Sequence, residues 1–414
     1  MLAFVNDERP EGARKGRKDT LRPATKRDGY ATDKGRTRMT QRLIGLMSGT
    51  SRDGVDAVLV EIEGDGSLHT AGHCHLPYPD ALEEDLAAAA TAEALRFEHL
   101  GTLDARVGLF LSRAVQQLLG SSGLKAQDIL AIGSHGQTVH HAPGADPAFT
   151  WQIGDPFRIA EATGIDVIAH FRQRDLAAGG EGAPLACAFH AAWLGHPSET
   201  RAILNLGGIA NLTWLEPGQP VRGCDSGPAN TLLDGWARRH LGQPYDADGS
   251  WARTGHVDRS LLEQLLADPY FQRPAPKSTG PEHFSPHWLR QVGGERIDRL
   301  NTEDVQATLV ELTVEGVRLT LESLRTTAPD RVIVCGGGAH NGYLMERLQS
   351  QLAGSTVETS ERHGIPPQQV EGAAFAWLAY RHLQHEAGNL PEVTGARGPR
   401  ILGCRIPGCA PEST

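Results

Sequence analysis

The chain has 414 residues, 39% hydrophobic and 22% charged, with a net charge of −10. That length is enough for two domains with a sizeable core. No apolar run nears the length that spans a bilayer and the first forty residues lack the apolar centre of a secretory signal, so a cytoplasmic protein with no membrane partner is expected. Residues 1–42 carry twelve Lys or Arg against six Asp or Glu, which leaves −16 for the rest, and an acidic body argues against a nucleic-acid partner.

Residues 1–42 have almost no aliphatic periodicity and are expected to form a disordered basic leader, with Met39 as an alternative start. Order is expected from Leu43, where an apolar run breaks at 48–54 (SGTSRDG) and resumes at Val55. Two aliphatic runs around a Gly/Ser/Thr/Asp turn predict a β-hairpin. The shape recurs at 202–215, where 207–211 (GGIAN) separates two apolar runs, and the recurrence predicts a duplicated architecture.

Between the hairpins, Leu103, Val107, Leu111, Val115 and Leu118 space a helix over 100–120. Strands are predicted at 129–134 and 166–169, with a helix at 159–163. Helices are predicted at 225–242, 257–268 and 302–325, then a buried strand at 331–335 that runs into Gly336, Gly337 and Gly338 and a helix at 341–352. Alternating strands and helices make the chain α/β. The expected division is a leader (1–42), an N-terminal lobe (43–200), a C-terminal lobe (201–385) and a C-terminal segment (386–414).

Phosphate chemistry needs backbone N–H groups turned toward an anion, which requires residues without Cβ or with short polar side chains. Segments 48–54, 205–211 and 336–338 each offer this on leaving an apolar strand; a single such turn would be only a turn. No Gly-x-x-x-x-Gly-Lys-Ser/Thr is present, nor a Gly-x-Gly-x-x-Gly opening the first helix, which disfavours P-loop and dinucleotide folds. The first turn adds Thr50, Ser51 and Asp53, suited to phosphate oxygens, a sugar hydroxyl or hydrated Mg²⁺. Asn341 opens the helix after the triple glycine, where it also serves as an N-cap.

Three carboxylates are candidates for a general base: Asp225 before the helix predicted at 225–242, Asp175 among the small residues of 171–180, and Glu371 opening an apolar helix. Residue types alone do not choose among them. His135 and Gln137 lie in a polar cluster at a strand end that suits a polar substrate, and 277–280 (KSTG) is read as a substrate-side or lid loop. Six scattered cysteines, of which only Cys404 and Cys409 are close in sequence, are expected to be reduced. The tidiest histidine pair, His283 and His287, is interrupted by Pro286, so no metal site is expected.

Taken in order, 44–56 (IGLMSGTSRDGVD), 132–138 (IGSHGQT), 152–156 (QIGDP), 171–185 (FRQRDLAAGGEGAPL), 204–211 (LNLGGIAN), 225–230 (DSGPAN), 276–280 (PKSTG) and 334–341 (VCGGGAHN) resemble the anhydro-N-acetylmuramic acid kinase family over 43–404. The resemblance implies two actin-like, ribonuclease H-like lobes with a nucleotide cleft between them. It implies ATP and Mg²⁺ as cofactors, an anhydro amino sugar and water as the other reactants, and a homodimer. Carried over by motif, Gly49, Thr50, Ser51, Arg52, Asp53, Gly54, Val55 and Asp56 form an ATP segment, joined by Asn205, Gly207, Gly208, Gly336, Gly337, Gly338 and Asn341. Asp225 matches the base, Glu371 an acid of the same site and Asp175 a cleft aspartate of open role, while His135 and Gln137 face the sugar.

The chain departs from the pattern at Arg52, His170, Glu181 and Ala229, where Leu, Asp, Gln and Gly are expected. His170 and Glu181 flank the cleft segment, so sugar affinity and pH dependence are the properties open to change. Competing readings are a plain hexose or amino-sugar kinase and an ATP-gated actin-like binding protein. Heavy oxygen entering the anomeric position would separate the first from ring opening; sugar-independent ATP turnover would mark the second.

Overall fold

In a computed structural model, residues 40–49, 52–92, 94–275, 277–280, 282–324 and 328–408 are described. Strands β1 (Gln41–Met47), β2 (Gly54–Ile62) and β3 (Leu68–Pro77) form an antiparallel meander. Strands β4 (Ala131–Ser134) and β7 (Val167–Ala169) extend it in parallel beside β1, and β5 (Gln137–Ala142) pairs with β6 (Phe149–Ile153) as a separate hairpin. The second sheet repeats the plan. Strands β8 (Arg201–Leu206), β9 (Ile209–Leu215) and β10 (Arg222–Pro228) form the meander, and β11 (Arg331–Cys335) and β12 (Thr356–Thr359) add in parallel beside β8. Both sheets therefore run third–second–first–fourth–fifth strand, the duplicated α/β lobe expected from the two hairpins.

Period-2 alternation explains why the strands are apolar on both sides. Along β2, Val55, Ala57 and Leu59 face one core while Val58, Val60 and Ile62 face another. Helices α1 (Asp80–Thr91), α2 (Phe97–Ser122) and α3 (Pro156–Thr163) belong to the first-lobe region, and α2 supplies Leu103, Val107, Leu111, Val115 and Leu118 to the outer core. Helices α4 (Phe171–Ala177) and α5 (Ala186–Leu194) lead to the second lobe. There α6 (Asn230–Leu241), α7 (Arg259–Leu266), α8 (Pro269–Gln272), α9 (Pro286–Arg299), α10 (Thr302–Leu324) and α11 (Gly342–Gln351) bury its own core.

Helix α12 (Val370–Leu383) lies between the sheets. Its Val370, Ala373, Phe375 and Leu378 share a core with Leu43, Val58 and Ile168 of the first sheet and with Ile203, Ile333 and Cys335 of the second. Its approach is close enough to require glycine: a Cβ on Gly45 would lie 1.8 Å from Gly372 O, and one on Gly133 would lie 2.1 Å from Phe375 O.

The structure differs from the sequence reading in several places. The range 225–242 is not one helix: β10 continues to Pro228, because 222–228 pair with β9 across a bulge between Asp225 and Gly227, and α6 starts at Asn230. Helix α12, expected within the C-terminal lobe, is shared with the first sheet. The segment after it, with α13 (Pro391–Thr394), returns to the first lobe, where β13 (Cys404–Ile406) pairs antiparallel with β7. Strand β3 and helix α1 were not foreseen; β3 alternates His, Gly and Thr with few aliphatics, an edge-strand composition with weak apolar periodicity. Residues 1–39, with Met39 and most of the expected leader, lie outside the described residues; the end of that leader is ordered, because Gln41 and Arg42 already pair in β1 with Ile62 and Glu61. Among the described residues no helix is long and apolar enough to cross a membrane, and Cys74, Cys187, Cys224, Cys335 and Cys404 are free.

Candidate active site

Where β1 and β4 end side by side, the first turn begins. Ser48 Oγ lies 2.5 Å from Gln137 Oε1, 3.0 Å from Gly54 O and 3.0 Å from Tyr78 OH, and Gln137 Nε2 donates to Gly49 O at 3.1 Å. Gln137, expected to face a sugar, is 1% exposed, and both ends of its amide brace this turn instead. Arg52 holds a left-handed φ of 57° and Asp53 O accepts Tyr78 N–H at 3.1 Å. Thr50 and Ser51 lie outside the described residues. Gly54 admits no Cβ, which would stand 2.4 Å from Leu76 O. Val55 belongs to the core, and Asp56 Oδ1 is taken by His73 Nε2 at 2.8 Å and His75 Nδ1 at 3.1 Å, so neither side chain serves the turn as expected.

The second-lobe turns meet each other. Gly336, at φ 80°, leaves no room for a Cβ beside Asn205 Oδ1 (2.4 Å), and Gly338 none beside Leu206 Cβ (2.6 Å). Gly207 O accepts Asn230 N–H and Gly208 O accepts Ala229 N–H, so the turn is bolted to the start of α6. A Cβ on Gly337 or Gly207 would meet nothing closer than 3.8 and 3.5 Å, so the open sides of the paired turns are theirs. Asn341 caps α11 by accepting Leu344 N–H at 3.0 Å.

Asp225 stands at the β10 bulge, half-buried. Its Oδ2 accepts Thr279 N–H at 2.9 Å, its N–H donates to Lys277 O at 3.0 Å, and Oδ1 has no partner among the described residues. Burial pushes its carboxyl up to about 6; the Thr279 N–H and the Lys277 charge oppose this and the Glu282 charge adds to it. Glu371 opens α12, and burial together with the negative Asp56 raises its pKa, while Arg172 on α4 offsets part of that.

Arg172 reaches His135 Nε2 from Nε (3.2 Å) and Nη2 (2.9 Å), and donates from Nη1 to Gly182 O at 2.9 Å. Burial pulls the guanidinium down to about 10. His135, 7% exposed, is pulled down to about 3 by burial and by Arg172, so it stays neutral and serves as an acceptor for the arginine. Asp175 is 0% exposed, and accepts from Gly182 N–H (2.8 Å), Asn389 Nδ2 (2.7 Å) and Thr394 Oγ1 (2.8 Å). Those bonds tie α4 to the C-terminal segment, and no side-chain surface remains for catalysis.

Three residues escaped the sequence reading. Asp234, on α6, is pushed up to about 6 by burial and by the negative Asp53, with Arg238 opposing, which brings the first-lobe turn and α6 into one electrostatic field. Its signal was present: Asn230 and Asp234 are one helical turn apart, with Leu232 and Leu233 between them. Arg172 was visible only as part of a motif. Lys277, expected on a substrate-side or lid loop, is 4% exposed. His283 pairs with Asp268 at 3.1 Å, before Pro286 starts α9.

Two lobes of one topology, each with a glycine turn leaving its first strand, and carboxyls raised toward neutrality fit a phosphotransferase of the two-lobed nucleotide-binding class. The chain belongs to the anhydro-N-acetylmuramic acid kinase family, whose sequence model matches residues 41–408. It is 52% identical over 367 residues to the anhydro-N-acetylmuramic acid kinase of Xanthomonas axonopodis pv. citri (strain 306), covering 88% of this chain and 97% of that one. The same enzyme of Xanthomonas campestris pv. campestris (strain 8004) is 51% identical over 371 residues, with the same coverage. Among solved structures, the activator of the 2-hydroxyisocaproyl-CoA dehydratase from Clostridium difficile with bound ADPNP superimposes with a TM-score of 0.45 at 13% identity, over 84% of this chain and 96% of that one. The fold assignment itself rests on the duplicated sheet order. Family membership carries use of ATP and a small-molecule acceptor.

Proposed function

We propose that the protein transfers the γ-phosphoryl group of ATP to O6 of 1,6-anhydro-N-acetylmuramic acid while water opens the anhydro bridge, giving N-acetylmuramic acid 6-phosphate and ADP in cytoplasmic recycling of cell-wall sugar. Asp225 is the observation that carries this reading. It is a carboxyl of pKa about 6 with Oδ2 fixed and Oδ1 without a partner, ionised at neutral pH yet basic enough to take a proton. Water deprotonated by Oδ1 attacks the anomeric carbon. The C1–O6 bond breaks, and O6 takes the phosphoryl group as ADP leaves. Glu371, beside Arg172, is assigned to the sugar side of the same site.

Arg172 supports a substrate with a carboxylate. Of its five N–H donors three are engaged by His135 and Gly182, it forms no ion pair among the described residues, and the lactyl carboxylate of a muramic sugar matches the two that remain. Backbone N–H groups of Gly49 and Gly54, with Gly207, Gly208, Gly337 and Gly338, are assigned to ATP, while the N–H groups of Arg52 and Gly336 are taken by Gly49 O (3.3 Å) and Pro367 O (3.0 Å). Asp53 and Asp234 fit Mg²⁺ arriving with the nucleotide, since a cation would relieve the like-charge repulsion that adds to burial in raising Asp234. When bound, the ion neutralises developing phosphate charge. A homodimer is the proposed assembly, to be checked by light scattering.

The test is incubation with ATP, Mg²⁺ and the anhydro sugar in ¹⁸O-water, beside N-acetylmuramic acid and N-acetylglucosamine. One heavy oxygen at the anomeric position of the phosphorylated product is expected, and is lost with Asp225→Asn. Product without label would leave a plain sugar kinase and remove the ring-opening step.

A further inference from the structure

Lys277 belongs to a described segment, 277–280, whose backbone clasps Asp225 from two sides: Lys277 O accepts Asp225 N–H at 3.0 Å and Thr279 N–H donates to Oδ2 at 2.9 Å. Its own side chain is sealed from water, 4% exposed. The ammonium donates to Tyr270 O at 3.3 Å and stands 4.6 Å from the centre of the Tyr270 ring. Tyr270 in turn donates its hydroxyl to Asp225 O at 2.8 Å. Lysine and aspartate are thus held by one tyrosine. No carboxylate lies within ion-pair distance of Lys277 among the described residues.

A buried ammonium with only a carbonyl and a ring for partners is costly. A neutral side chain would fill the space at lower cost, so the charge itself is the feature in need of a reason. We propose that Lys277 is a positioning residue for the catalytic step, its seat on Tyr270 fixing the positive charge that holds Asp225 ionised. This rests on Asp225 being the base. The groups around that carboxylate are Cys224 on its own strand, Lys277 on the clasping segment, Glu282 just beyond it, Tyr270 on α8 and Cys187 on α5; Arg273 faces the lysine. Of these, the lysine charge stabilises the carboxylate and the Glu282 charge opposes it. The Lys277 pKa is lowered, by burial first, with Asp225 acting to keep the proton on.

The experiment is the pH profile of kcat/KM for the anhydro sugar with wild type, Lys277→Met, Lys277→Gln, Lys277→Arg and Glu282→Gln. Wild type is expected to lose activity below about pH 6. In Lys277→Met and Lys277→Gln the acid limb moves up by about one unit, leaving kcat/KM about tenfold below wild type at pH 5 and close to it at pH 8.5. Lys277→Arg restores the wild-type limb, and Glu282→Gln moves it down. A limb that stays in place while KM for ATP or sugar rises would show that Lys277 touches substrate and would overturn the proposal; so would a loss uniform across pH. If neither neutral variant folds, Glu282→Gln decides, because an unmoved limb there refutes electrostatic control from this segment. Full activity in Asp225→Asn would instead refute the base, a distinguishable failure.

Discussion

Replacing Gly45 with alanine tests the joint between fold and site. The new Cβ would stand 1.8 Å from Gly372 O and 2.8 Å from Ala376 N, where ordinary contact begins at 3.4 Å. Backbone on both sides leaves nothing flexible to yield, so α12 must withdraw from β1 by about 1.6 Å. A gap of that size forfeits much of the dispersion contact along the helix, which carries Val370, Ala373 and Phe375 between the two sheets. The expected loss is about 3 kcal/mol, the upper end for overpacking, and a fall in Tm of about 5 °C. Glu371, the neighbour of the clashing Gly372, would shift with the helix, so the effect on kcat should exceed that on KM for ATP. Gly101→Ala, on α2 where a Cβ meets nothing within 4 Å, is the control and should stabilise by about 0.5 kcal/mol. Calorimetry and steady-state kinetics on the purified variants give the answer. Gly45→Ala with wild-type Tm and kcat, or a control that loses as much, would refute the close-packing argument.

Three further outcomes follow from the site. Asp175→Ala strands three buried donors and should cost about 4 kcal/mol in urea unfolding while the pH profile of surviving activity keeps its shape; a moved acid limb would return Asp175 to the chemistry. Arg172→Ala should raise KM for the carboxylate-bearing sugar at least tenfold with little change for ATP, and an equal effect on a sugar lacking the carboxylate would remove the recognition role. Asp225→Asn should raise Tm at pH 7.5: with the folded-state pKa near 6 and the unfolded one near 3.8, the native aspartate binds the proton more tightly, so its contribution is full below pH 3.8 and lost as pH rises through 6. The gain should vanish below pH 4, and a gain independent of pH would contradict the raised pKa.

Much of the architecture was legible in the sequence because it is local. Runs such as 43–47 and 202–206 are apolar on both faces, and each breaks at glycine, so strand, turn and strand follow from periodicity alone. The triple glycine after Cys335 and the N-cap Asn341 were equally local. The aspartates show where this stops. Asp175, Asp225 and Glu371 looked alike in sequence, since each is an acid beside small residues. Their difference is set by groups far along the chain: Asn389 and Thr394 for Asp175, Thr279 and Lys277 for Asp225, Asp56 and Arg172 for Glu371.

What the sequence by itself determined is the class of chain, two repeated α/β units with three glycine turns, together with the family to which its motifs belong. Only the tertiary structure decided that α12 is shared between the sheets, that the last strand closes the first one, and that Gln137 and Asp175 brace the scaffold. Periodicity records which way a side chain faces along its own element; which partner a carboxylate meets, and so whether it is a clasp or a base, depends on burial and charge assembled from distant segments.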